Sequence, residues 1–355
     1  MGNLEYFREN LIKELEVREK NIRTRKLDIS LGELSSMYAE KDLIIQPSFQ
    51  RLFRWNHYQK TRLIETILVG LPMPSIFVVE KENGVWELID GLQRLSTIFS
   101  FLGTCGEEKK WKLGEGDILK KIKKFSYEEL PPRAKRLIRR YTCRVEIISY
   151  DADYDVRYEL FERLNTGGSP LSDQEIRNAI YRADSEEFNS FLTRNGNENK
   201  DFLNLIRISE KQKNELYADE LVLRFCALYE LDDITKTLRD YLNNYMKNIV
   251  KKTVDNTTKI NDLEIIFKRT INVLLKLDEP HIFWRNSFSA TLYDGIMIGL
   301  ANNIEVYEKD IELLKMKIDQ LKKNKDFNDK YSGSQSHNAR NVKGRIKVSN
   351  EIFTE

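Results

Sequence analysis

Cysteine and histidine are scarce in this 355-residue chain, with three of each. Cys105, Cys143 and Cys226 are odd in number and far apart, which argues against a disulfide framework or a C-x-x-C metal site and favours buried, reduced thiols. His57, His281 and His337 are too scattered for a zinc centre. Long uncharged apolar runs are missing as well, which excludes a membrane-spanning helix. The N-terminus opens on charged, helix-forming sequence with no signal-peptide pattern, so the expected compartment is the cytoplasm. Net charge is almost absent, since 58 Lys and Arg stand against 56 Asp and Glu, leaving +2. What is present, 41% hydrophobic and 32% charged residues, describes a soluble protein long enough for two domains.

The small net charge hides segregation. Between Lys109 and Arg144 thirteen Lys and Arg face four acids, Glu115, Asp117, Glu128 and Glu129. Two readings stand side by side: a phosphate-neutralising footprint for nucleic acid, carried by Lys120, Lys121, Lys123, Lys124, Arg136, Arg139 and Arg140, or a solvated basic helix pair.

Periodicity divides the chain into two kinds of sequence. Residues 3–20 read as an amphipathic helix, and Ser30 is placed to cap a short helix running to about Tyr38. Leu43-Ile44-Ile45 is a β-type run that stops at Gln46-Pro47. From His57 to Val69, Leu63, Ile64, Ile67 and Leu68 share a helical face, with Gly70 at the expected C-terminal stop. Ile76–Val79 and Val85–Ile89 flank a turn containing Asn83-Gly84, a hairpin signal. Leu92, Leu95, Ile98, Phe99 and Leu102 then recur at helical spacing. Thr142–Tyr150 reads as a strand, Val156–Leu164 as a short helix, and Ser172 with Glu175 has capping-box spacing ahead of a helix through Tyr181.

Beyond that point β-type runs nearly vanish. Segments 186–206, 215–230, 232–251, 262–276, 286–303 and 304–325 follow a helical period. The expected architecture is α+β: a first domain over 1–183, then an all-α domain over 184–355. Within the second, 326–341 reads as a mobile polar linker or loop and Val342–Phe353 as a short basic helix.

The chemistry concentrates at Asp90-Gly91-Leu92-Gln93-Arg94, between a strand and a helix N-terminus. Unpaired backbone N–H groups and the positive end of the dipole favour an anion there. Gly91 lets the backbone approach closely, Arg94 offers a fork for phosphate oxygens, Asp90 can hold Mg2+ through water, and Gln93 can orient an attacking water. The alternative is plainer: Asp90 as a helix cap and Arg94 as a surface residue. In the loop 46–55, Gln50, Arg51 and Arg54 stand near Phe53 and Trp55; an aromatic there either stacks on a base or plugs the core, and for Trp55 the core is favoured. Phe161–Gly168 ends a helix in a glycine pair, with Arg163 and Asn165 as site candidates.

Taken together, Gln-Pro-x-Phe-Gln-Arg-x-x-x-Trp at 46–55, Gly-Leu-Pro-x-Pro at 70–74, Ile-Asp-Gly-x-Gln-Arg-Leu-Ser-Thr at 89–97 and Phe-x-Arg-Leu-Asn-x-Gly-Gly at 161–168 resemble the GmrSD-type restriction endonuclease N-terminal domain family. The resemblance covers roughly 28–182 and implies a ParB/sulfiredoxin-like fold in a modification-dependent restriction or anti-phage system. It also implies a nucleoside triphosphate as ligand or substrate, with Mg2+. Asp90, Gln93 and Arg94 fall on the family's catalytic motif, and Gln50, Arg51, Arg54, Gly91, Thr97, Arg163 and Asn165 are the expected nucleotide contacts. Leu92 stands where the family pattern has a glutamine, a departure that bears on hydrolysis. Restriction members commonly add an HNH nuclease domain, whose histidine cluster the helical half lacks.

The leading expectation is therefore an NTP-hydrolysing sensor or switch that acts beside a separate nuclease or toxin protein, with DNA and a second copy of the chain as further partners and no membrane. A non-enzymatic ParB-like nucleic-acid-binding regulator or antitoxin-like partner is the alternative. Direct nuclease action by the first domain is a third and weaker reading, because no compact carboxylate cluster stands out.

Overall fold

The computed structural model describes residues 6–8, 10–12, 24–45, 55–81, 83–104, 111–149, 158–159, 162–163, 171–181, 185–251, 256–331 and 335–354. Contacts divide the chain into two compact units, 1–169 and 170–355. The architecture is mixed α+β: a five-stranded sheet in the first unit and helices throughout the described part of the second.

The first unit runs β1 (Thr24–Ser30), α1 (Leu31–Glu40), β2 (Leu43–Ile44), α2 (His57–Leu68), β3 (Ile76–Glu80), β4 (Trp86–Asp90), α3 (Leu92–Leu102), α4 (Pro132–Arg140) and β5 (Thr142–Ser149). The sheet order is β1-β5-β3-β4-β2. β1 lies antiparallel to β5 and β3 antiparallel to β4, while β3–β5 and β4–β2 are parallel. β1 carries no clear strand signal in the sequence. Only Leu27 and Ile29 alternate in it, and as an edge strand it is mostly exposed, so its hydrogen bonds come from β5 across more than a hundred residues of chain.

The sequence signals act locally as physical chemistry requires. The Ser30 hydroxyl accepts from Glu33 N–H at 3.1 Å and starts α1. α2 begins with an Asn56–Gln59 capping box, and its last carbonyls are taken by Gly70 N–H and Leu71 N–H, which bond back to Ile67 and Thr66. Ile76 and Val78 of β3, Val145 and Ile147 of β5, Leu95, Ile98 and Phe99 of α3, Ile64 of α2 and Ile138 of α4 meet in one core, all fully buried. Each such side chain contributes roughly 1.5–3 kcal/mol of burial free energy.

The second unit contains α5 (Asp173–Tyr181), α6 (Glu186–Asn195), α7 (Lys200–Ile206), α8 (Glu210–Asn214), α9 (Tyr217–Tyr229), α10 (Leu238–Lys251), α11 (Asn256–Leu275), α12 (Ala290–Asn302), α13 (Ile304–Tyr307), α14 (Ile311–Lys323) and α15 (Ala339–Thr354). The Ser172–Glu175 capping box forms at the start of α5. α12 is buried from Thr291 to Ala301, as a helix apolar on all sides must be. Gly299 lets the Phe353 ring of α15 approach its backbone, since a Cβ there would lie 2.7 Å from the ring.

The stretch 326–341, expected as a mobile linker or loop, is folded wherever it is described. Asp326–Lys330 makes a π-helical turn that buries Phe327 completely, and the carbonyls of Ser336 and His337 accept from Arg345 and from Leu238 N–H. Its polar composition concealed one anchoring aromatic and two backbone acceptors.

Candidate functional site

The centre of the first unit is the passage from β4 through Gly91 into α3. Gly91 has φ +108°, a conformation that L side chains rarely adopt, and a Cβ there would lie 2.4 Å from Ile76 Cδ1. Glycine is therefore demanded twice, by the backbone and by β3 beneath it. The first bond of α3 runs from Leu95 N–H to Gly91 C=O at 2.8 Å, and no side chain caps the helix. The amides of Leu92, Gln93 and Arg94 thus have no acceptor within the helix and carry the positive end of its dipole.

Arg94 closes this turn. Its Nη2 donates to Asp90 Oδ2 at 2.8 Å, while Nη1 donates to Ser75 C=O at 3.0 Å and to Pro74 C=O. Its side chain is only 13% exposed, whereas Asp90 is 44% exposed. The guanidinium therefore ties the end of β4 to the Gly-Leu-Pro-x-Pro loop ahead of β3. Tyr141 holds the same loop by donating its hydroxyl to Leu71 C=O at 2.8 Å. Sequence reasoning assigns no role to the Pro74 and Ser75 carbonyls or to Tyr141, although the two prolines at 72 and 74 mark the loop.

Cys143 on β5 stands within electrostatic reach of this guanidinium. Burial pushes its thiol up to about 11 and outweighs the lowering effect of Arg94, so it stays protonated. Cys143 and Cys226 are both buried and free, and Cys105 lies outside the described residues.

Gln93 Oε1 accepts from Trp55 N–H at 3.1 Å and so anchors Trp55 to the first turn of α3. Trp55 itself packs against the core. Thr97 is fully buried and donates its hydroxyl to Gln93 C=O at 2.7 Å, a bond internal to the helix. Arg163 is paired with Glu159 one turn back at 2.7 Å. Gln50, Arg51, Arg54 and Asn165 lie outside the described residues. Asp90, Gly91, Gln93 and Arg94 are thus gathered at one helix start, while Thr97 points into the fold.

The candidate cations of the basic segment are exposed. Lys120 and Lys121 lie in the 3₁₀ turn Lys120–Ile122, followed by Lys123 and Lys124; Arg136, Arg139 and Arg140 project from α4. Lys123 meets Glu115 at 3.4 Å. Among the described residues the other six side chains have no hydrogen-bond or ion-pair partner. The loop beneath is built on Glu65 of α2, a buried carboxylate that accepts the N–H groups of Asp117, Ile118 and Leu119 at 3.0, 2.8 and 2.6 Å. Between the C-terminal turn of α2 and Arg133, Arg136, Leu137 and Arg140 of α4 lies a groove of about 540 Å³.

Among the described residues no group of three or more His, Cys, Asp or Glu side chains is arranged to hold a metal ion, and no helix is long and apolar enough to cross a membrane. A mixed sheet whose inner strand turns at an Asp-Gly into a helix with no capping side chain defines an α+β domain. Comparison with family models identifies it: residues 31–182 match the GmrSD restriction endonuclease, N-terminal domain. That match covers less than half of the chain. Searches of curated proteins and of solved structures gave no match.

Proposed function

We propose that the GmrSD-type domain is the nucleotide-binding, NTP-hydrolysing sensor of its restriction system, with the polyphosphate at the amide end of α3. One observation carries this reading: α3 opens on a positive-φ glycine with no capping side chain, and Arg94 fixes a positive charge and the Asp90 carboxylate beside it. Such a helix end is a ready anion site. Asp90 fits Mg2+ as a single, half-exposed carboxylate, the kind of ligand Mg2+ takes together with phosphate oxygens and water. When bound, the ion would neutralise phosphate charge. The chain's own contribution is to orient: amides on phosphate oxygens, the Arg94 field against the developing charge, and Gln93 at the edge nearest Trp55.

The test is phosphate release from GTP, ATP and CTP with Mg2+, alongside thermal melting with each nucleotide. Turnover by the wild type and its loss in Arg94→Ala and Asp90→Asn support the reading. A melting temperature unmoved by every nucleotide removes it.

A second reading rests on a different observation, the six exposed cations of the 120–140 segment that lack a protein partner among the described residues. It makes the domain a nucleic-acid binder that acts beside a separate nuclease. Salt-dependent DNA binding without turnover favours it.

A further inference from the structure

The edge of the five-stranded sheet is used by neither reading. β1 ends the strand order and pairs with β5 alone among the described strands, whereas the opposite end is β2, two residues long. An antiparallel strand turns the N–H and C=O groups of alternate residues toward its neighbour and those between them outward. Among the described residues no backbone group takes up the outward set of β1. A seven-residue exposed edge of this kind is a template for another strand.

The two faces of the edge differ in character. Leu27 and Ile29 stand opposite Val145 and Cys143 of β5, both buried, so the odd-numbered residues of β1 continue the core face. Ile29 packs against the core, but Leu27 is left 44% exposed at the rim. Arg25, on the same face, is held by Glu80. On the other face Lys26 stands opposite Glu146 and pairs with it at 3.7 Å, while Asp28 stands opposite Arg144 and accepts from it at 3.1 Å.

These faces restrict how β1 can pair with the β1 of a second copy. Side chains that meet across an antiparallel pair lie on one face, so a two-fold axis must pass where some residue meets its own copy. An axis at Lys26 sets two lysines against each other, and an axis at Asp28 sets two aspartates against each other. An axis at Leu27 engages the whole strand: Thr24 opposite Ser30, Arg25 opposite Ile29, Lys26 opposite Asp28, and Leu27 opposite Leu27. Each charge row then alternates in sign through four strands: Arg144 and Asp28 of one copy, followed by Lys26 and Glu146 of the other. The two Leu27 side chains cover each other, and the core face runs on across the join. An edge guarded against self-pairing carries charges that repel their own copy, often lysine. This edge carries both signs, in the order that antiparallel self-pairing matches.

We propose that β1 is the interaction surface for a second copy of this chain, the two edge strands pairing antiparallel about a two-fold axis at Leu27. The five strands of each copy join in one continuous sheet. The occupant is a second copy because the charge order of β1 is complementary to itself. The dimer presents two α3 helix ends, one from each copy.

The test is sedimentation of the full chain from micromolar to millimolar concentration, with cysteine cross-linking to fix the register. The wild type should form a dimer. Leu27→Cys should form an intermolecular disulfide on mild oxidation, because directly opposed residues have Cα atoms about 4.5–5.5 Å apart, within disulfide reach. Arg25→Cys should form none, since its own copy lies four positions further along the strand, roughly 13 Å away. The wild type, whose Cys143 and Cys226 are buried, supplies the background. A Lys26→Gln, Asp28→Asn double variant keeps the side-chain shapes and removes the cross-copy charges; its dimer dissociation constant should rise about two- to thirtyfold at low salt. Should Leu27→Cys fail to fold, the wild-type mass and the double variant decide alone. A wild type that stays monomeric overturns the proposal. So does a dimer that Leu27→Cys cannot cross-link, that Arg25→Cys cross-links equally well, or that is indifferent to loss of the Lys26 and Asp28 charges.

Discussion

Arg94 reaches back one helical turn and donates to the Asp90 carboxylate at 2.8 Å, so the two charged residues of the Asp-Gly turn hold each other. With Pro74 and Ser75 C=O on its other nitrogen, Arg94 is a positioning residue for the helix start. Arg94→Ala should cost about 1–3 kcal/mol, because it removes the donor shared by the Asp90 carboxylate and the Pro74 and Ser75 carbonyls. Arg94→Lys should restore only part of this, since a point charge cannot span both acceptors. Urea unfolding of the two variants measures the difference, and the nucleotide turnover proposed above should fall in both.

Gly91→Ala should destabilise the first unit by roughly 1–3 kcal/mol through its positive φ and its contact with Ile76. Adding Ile76→Val, which removes the Cδ1 atom standing 2.4 Å from the new methyl, should recover the steric part and leave the backbone strain. Non-additive melting temperatures in the double-mutant cycle would show the contact; strict additivity would disprove it.

Glu65→Gln should loosen the 115–119 loop, because one amide oxygen must replace two carboxylate oxygens that together receive three N–H groups. The expected cost is about 1.5–3 kcal/mol. Hydrogen exchange at the amides of Asp117, Ile118 and Leu119 should accelerate ahead of exchange in β3 and β5.

Glu129 carries the clearest acid-sensitive contact of the basic segment. The hydrogen bond from Lys112, followed by those from Ser126 N–H and hydroxyl, holds its carboxyl down to about 2 from an ordinary 4.5. A depressed folded-state pKa stabilises the fold above the unfolded value, and that contribution is lost as pH falls from about 4.5 through about 2. Glu129→Gln should therefore flatten this part of the acid-unfolding curve and leave neutral pH least affected in slope. Solvent exposure makes the effect small. Carboxyl titration by NMR measures the pKa directly.

If the basic segment binds DNA, replacing Arg136, Arg139 and Arg140 by Gln should weaken binding alike for all sequences. The slope of log affinity against log salt should fall by up to about three, near one for each phosphate that is no longer neutralised. An unchanged slope would exclude these side chains from the interface.

Much of the first unit was legible because its signals are local. Ser30, the Asn83-Gly84 turn and the periodicity of 57–69 and 92–102 act over a few residues, and each appears where the sequence placed it. β1 was illegible because an edge strand buries too little to carry a pattern. The helix-like 342–353 segment was legible as a helix, but not the burial of Arg345 inside it, since a single arginine looks the same on either side of a helix.

The amino-acid order by itself determined the α+β division, the Asp-Gly turn at a helix start and the resemblance of 31–182 to the GmrSD-type domain, because capping, periodicity and motif spacing need no distant partner. Only the tertiary structure decided where the charges go: Arg94 onto Asp90 and two carbonyls, Glu65 beneath three amides, and three arginines into the helical core with two carboxylates. The reason is that a charged side chain is soluble in any unfolded chain, and its role depends on which acceptors folding brings within about 3 Å of it.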